Sequence, residues 1–209
     1  MIEYQYSVDQ KLHIMKGIFH NMECGIKIGE LDGSHMLANP FLSAVIFELA
    51  IKSMWELSHS KVFGRTEIDQ YRHYIDRVYP CLREDFCEFI RNKYNAEVTY
   101  FRNTLQEILN SYQCRNLPEG DRVSILSCSY FSLKECLKEN SKIVTNGKYE
   151  FQQGRKINVI TGIIPKSDLS NDPVDCYRQP SPFLKEIMNY IQTQLDSLDP
   201  VKNLLWNSI

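Results

Sequence analysis

The sequence predicts a mainly α protein, an up-and-down helical bundle carrying a small antiparallel β-hairpin or meander near residues 142–164. Three observations predict it. Apolar residues recur every three or four positions over most of the chain, the stripe of amphipathic helices. Asn39-Pro40 and Ser181-Pro182 are helix-start signals, and Pro80 forces a turn from which a helix can begin. Around Asn146-Gly147 that period gives way to β-branched residues flanking a dipeptide suited to a tight turn.

The first helix runs from Val8 to about Gly29, with Leu12, Met15, Phe19, Met22 and Ile26 on one side. Leu31-Asp32-Gly33-Ser34 breaks it, and Asn39-Pro40 opens the second, which extends to about Ser60. Phe41, Val45 and Leu49 form one apolar row of that helix, and Leu42, Ile46, Ala50 and Met54 another. A helix apolar on more than one side belongs in the middle of a bundle. Glu48 and Lys52, spaced i, i+4, can pair where it meets solvent.

After a break at Gly64, Glu67 to Tyr79 reads as a third helix, with Ile68, Tyr71, Ile75 and Val78 inward. Pro80 starts a fourth, carrying Leu82, Phe86, Phe89 and Ile90, and Glu97 to about Tyr112 repeats the pattern. Asn116 to Asp121 is a loop by composition, and helix returns from about Val123 to Asn140. The hairpin strands are Lys142–Thr145 and Lys148–Phe151, with Ile157–Ile164 as a third strand. Residues 166–182, with three prolines, form a surface loop, and the last helix, over residues 183–198, places Phe183, Ile187, Tyr190, Ile191 and Leu195 on one face.

A chain of 209 residues with 43% hydrophobic and 24% charged residues is expected to make a single domain, residues 1–209. Its net charge of −2 argues against a broad basic surface, so any nucleic-acid contact must come from a local cluster. The N-terminus lacks the pattern of a secretory signal, and no apolar run is long enough for a membrane span. Seven widely spaced cysteines without a CxxC pair read as free thiols in a reducing cytoplasm. Phosphate-binding loops, dinucleotide fingerprints, zinc-protease and serine-hydrolase motifs are all missing, and no cofactor is expected.

One stretch carries a pattern of its own. Glu48-Leu49-Ala50-Ile51-Lys52 leads to the turn at Gly64, then to Thr66-Glu67-Ile68 and Tyr79-Pro80-Cys81-Leu82. Over residues 43–94 this resembles the HEPN superfamily of prokaryotic helical proteins. The resemblance implies an all-helical, often dimeric, RNA-associated protein of bacterial defence or stress systems, including antiviral and toxin–antitoxin systems. In active members it implies a metal-independent ribonuclease with an Arg followed four to six residues later by a His. Where the family has a histidine this chain has Glu67, and none of its five histidines follows an Arg at that spacing. Thr66 is expected to cap the helix that Glu67 opens.

Three functional readings follow. The first is a HEPN-like module in the family's sense, expected to be a homodimer that binds RNA or a protein partner, with Arg91, Arg102 and Arg115 lining a phosphate groove between successive helices. The second is a metal-independent ribonuclease with an unusual site drawn from His59, Arg65, Arg72 and His73. The third is a protein adaptor that uses the hairpin and last helix, with no nucleic-acid ligand. His13 and His20, seven residues apart with Glu23 beyond, are too far apart to share an ion, and no metal site is assigned.

Overall fold

The computed structural model describes residues 7–27, 33–110, 118–120, 132–146, 164–165, 176–177 and 181–198. Within them seven α-helices pack together: α1 (Val8–Lys27), α2 (Gly33–His59), α3 (Arg65–Tyr71), α4 (Ile75–Val78), α5 (Glu84–Asn110), α6 (Leu133–Asn146) and α7 (Pro182–Asp196). A 3-10 turn, Tyr79–Cys81, joins α4 to α5.

Helix α2 is the centre, as its several apolar rows predict. Ile46, Phe47, Ala50, Ile51 and Met54 are fully buried along it. Leu12, Met15, Phe19 and Met22 of α1 cover one side, and the Phe183–Leu195 face of α7 covers another. Phe183 ties three helices together, with its ring edge-on to Phe47 of α2 at 5.6 Å and to Tyr94 of α5 at 5.7 Å. The start of α7 is as predicted: Ser181 is its N-cap, accepting from the Phe183 amide at 3.2 Å and donating to Glu97 at 2.8 Å.

Several boundaries differ from the sequence reading. Helix α2 begins at Gly33, so Asn39-Pro40 lies inside it. A proline there loses the bond to the carbonyl four residues back and crowds that carbonyl, a cost offset by the long buried run beyond it. The segment read as one helix from Glu67 to Tyr79 is α3, a turn, α4 and the 3-10 turn, because Arg72 takes φ 47° and ends α3. Conversely, the helices read from Pro80 and from Glu97 are one uninterrupted helix, α5, since Lys93 to Ala96 contains no breaker.

The predicted hairpin is not formed as drawn. Lys142–Thr145, its first strand, is the last part of α6. Leu133, Cys136, Leu137, Asn140, Ser141 and Val144 keep the helical period through that stretch, and Ser141 and Thr145 donate to the carbonyls of Leu137 and Ser141 at 2.9 and 2.6 Å. A packed helical face outweighs the β preference of Ile143, Val144 and Thr145. Residues 147–163, with the rest of the hairpin, lie outside the described residues. The strand pairing that is described is a two-residue antiparallel ladder, Ile164 with Tyr177 and Pro165 with Cys176. Ile164 is the last residue of the segment read as a third strand, and Cys176-Tyr177 lies inside the segment read as a loop, residues 166–182.

Candidate functional site

The side chains that stand out are charges inside the bundle. On α2, Glu48, Lys52 and Glu56 follow one another at four-residue spacing, and all three lie against the core or at its edge. Lys11 of α1 donates to Glu56 at 2.5 Å, and the Phe63 amide, from the α2–α3 connection, donates to the same carboxylate at 2.6 Å. Burial pushes the Glu56 carboxyl up and the Lys11 ammonium down, and each is opposed by the charge of the other. This pair fastens α1 and the connection to α2.

One helical turn pair earlier on α2, Glu48 has a different set of partners. Lys52 donates to it at 2.5 Å, and His73 Nδ1 lies 3.0 and 3.2 Å from its two oxygens. Burial pushes the Glu48 carboxyl up, but His73 and Lys52 together outweigh it and hold the group below its ordinary range. His73 itself is half exposed.

What positions His73 is the turn after α3. The Tyr74 amide donates to the Tyr71 carbonyl at 2.8 Å, and Arg72 has φ 47° and ψ −115°. These are the features of a type II′ turn with Arg72 at the position that favours glycine. The strain delivers His73 onto Glu48 and leaves Arg72 in solvent.

Helix α3 is set by a second carboxylate. Its N-cap is Gly64, not Thr66, and Glu67 in the first turn accepts from the Gly64 amide at 3.0 Å and from Lys61 at 2.6 Å. With Glu67 turned inward, the outer face carries Arg65, Ile68, Asp69 and Arg72. Arg65 and Arg72 are about two helical turns apart, on the order of 10 Å. Beyond the turn, the Arg77 guanidinium lies over the Tyr74 ring at 4.5 Å. Among the described residues Arg65, Arg72 and Arg77 have no carboxylate partner, whereas Arg83 is held by Asp85 and Arg91 by Glu84.

The four residues weighed for a ribonuclease site are therefore distributed unevenly. Arg72 and His73 lie in the turn that ends α3 and Arg65 opens the same helix at its other end, but His59 is engaged elsewhere, its ring stacked on Trp55 at 4.2 Å and its Nδ1 2.9 Å from the Trp55 carbonyl. Trp55 and Glu48 are seven residues apart on α2, so the two histidines are held about two turns from each other. Of the three arginines read as a groove, Arg91 and Arg102 both lie on α5, exposed and eleven residues apart, rather than on successive helices. Arg115 lies outside the described residues. Glu48 was not singled out as a site residue; the signal that could have found it is a charge repeat, Glu48-Lys52-Glu56, inside a helix apolar on several sides.

Among the described residues no group of three or more His, Cys, Asp or Glu side chains could hold a metal ion, and no helix is long and apolar enough to cross a membrane. No family model, curated protein or solved structure matches this chain.

Proposed function

We propose that this chain is a HEPN-like, RNA-associated helical module that meets RNA phosphates through the outer face of α3 and the turn into α4. The reading rests on one observation: Arg65, Arg72 and Arg77 are exposed on adjoining elements with no carboxylate partner among the described residues. Guanidinium groups so placed are ready to donate to phosphate oxygens, and on a chain of net charge −2 they form the local cluster that RNA contact requires. Tyr74 under Arg77 adds a flat surface beside a cation. The resemblance over residues 43–94 supports the same reading, because its Gly64 and Thr66-Glu67-Ile68 stretch opens α3 itself. Homodimer formation and service in a bacterial defence or stress system belong to this proposal through the resemblance.

The test is binding of a labelled single-stranded RNA at low salt by the full chain and by an Arg65→Ala, Arg72→Ala variant. The double variant is expected to bind about tenfold more weakly or worse with unchanged helix content. Equal binding by the two proteins would remove the outer face of α3 from the account. Absence of RNA binding altogether would favour the adaptor reading.

A second reading, a metal-independent endoribonuclease, is favoured by Glu48 at His73 Nδ1, since a carboxylate on one ring nitrogen fixes the other for proton exchange. RNA incubated with the protein in EDTA would then be cut, and His73→Ala would not cut it. His59 has no part in this version.

A further inference from the structure

The Glu48–His73 contact bears on how the turn that ends α3 would hold its ligand, an inference that rests on the proposed RNA reading. Glu48 is almost wholly buried and its ionised oxygens can only accept, so the Nδ1 atom facing both of them carries the ring hydrogen. That leaves Nε2, at the opposite corner of a ring half exposed to solvent, as the nitrogen that gains and loses a proton. When neutral, Nε2 presents a lone pair, which repels a phosphate oxygen. When protonated, it presents a charged N–H, which binds one.

We infer that His73 is a proton-gated phosphate contact: its Nε2 joins Arg72 on one phosphate only when protonated, and Glu48 is the positioning residue that fixes this. The arrangement around the ring fits the role. Glu48, with Lys52 behind it, faces the ring from α2, and Arg72 precedes it in the turn. Of the α4 charges, Asp76 accepts from Ser141 of α6 at 3.1 Å, and the Arg77 guanidinium lies over the Tyr74 ring. The strained Arg72 backbone places two successive residues, one permanently charged and one switchable, at the same turn.

The sign follows directly. RNA binding takes up a proton at Nε2, so affinity falls as pH rises. A general base would show the reverse, because it needs the neutral ring. Losing one charge-assisted hydrogen bond corresponds to a fall of about tenfold or more.

The experiment is fluorescence anisotropy with a short labelled single-stranded RNA on the full chain, across the histidine range at fixed ionic strength. His73→Gln, which keeps a neutral donor toward Glu48, is expected to bind with the wild-type high-pH affinity at every pH. Glu48→Gln, whose amide no longer forces the ring hydrogen onto Nδ1, should reduce the gain in affinity at low pH. A wild-type affinity that does not change with pH, or a dependence that survives intact in His73→Gln, overturns the inference while leaving the RNA reading in place. If RNA fails to bind at any pH, the RNA reading fails, and titration with inorganic phosphate followed at the His73 ring by NMR decides the contact: a pH-dependent response of Nε2 upholds it and no response overturns it.

Discussion

Lys11 and Glu56 show what a single side chain can carry in this molecule. Their pair joins α1 to α2, and removing one member leaves the other charge buried without its counterpart. Lys11→Ala is expected to cost about 3–5 kcal/mol in urea unfolding. Adding Glu56→Gln, whose amide oxygen can still accept from the Phe63 amide, should recover part of that loss. Glu48 gives a pH signature. Its carboxyl is held below the ordinary value of 4.5 in the folded state, so the stabilisation is present above that value and is lost as pH falls through the lower folded one. The stability difference between wild type and Glu48→Gln should therefore be about 1–3 kcal/mol near neutrality and shrink in acid. None of these partnerships was legible in the sequence beyond the Glu48–Lys52 pair. Lys11, Glu56 and His73 are distant in the chain, and the period of α2 indicated burial without saying which charges would be buried with it.

At the scale of elements, the long and strongly periodic helices were legible and the joints were not. Helix α7 begins at Ser181-Pro182 because a side-chain cap and a proline both act locally. The end of α3 has no such mark, since Arg72 enters a conformation that favours glycine and is held there by the Tyr71–Tyr74 turn and the Glu48–His73 contact. Helix α6 misled in the other direction, because Asn146-Gly147 is a turn signal that also suits a helix end. The turn makes a prediction that separates folding from binding. Arg72→Gly relieves the strained backbone and is expected to raise stability by about 1 kcal/mol in urea unfolding, while weakening RNA binding. A variant that is less stable than wild type would show that the turn is not strained as described.

For the whole molecule, the bundle is a frame, and the corner at α3 and the turn into α4 carries Arg65, Arg72 and Arg77 without carboxylate partners among the described residues. The apolar pattern predicted the frame. It could not predict the corner, because the exposed arginines there look the same in sequence as Arg83 and Arg91, which the fold gives carboxylate partners. The difference lies in Glu67, which turns inward to Lys61 and Gly64 and so leaves Arg65 and Arg72 on the outer face of α3 beside Ile68 and Asp69. The measurement that tests this most directly is the salt dependence of single-stranded RNA binding by wild type and by the Arg65→Ala, Arg72→Ala variant. With about 0.7 per phosphate contact, Arg65, Arg72 and Arg77 give a log–log slope of about −2 for wild type, falling to about −0.7 when two are removed. Equal slopes in the two proteins, or no RNA binding at low salt, would contradict the account.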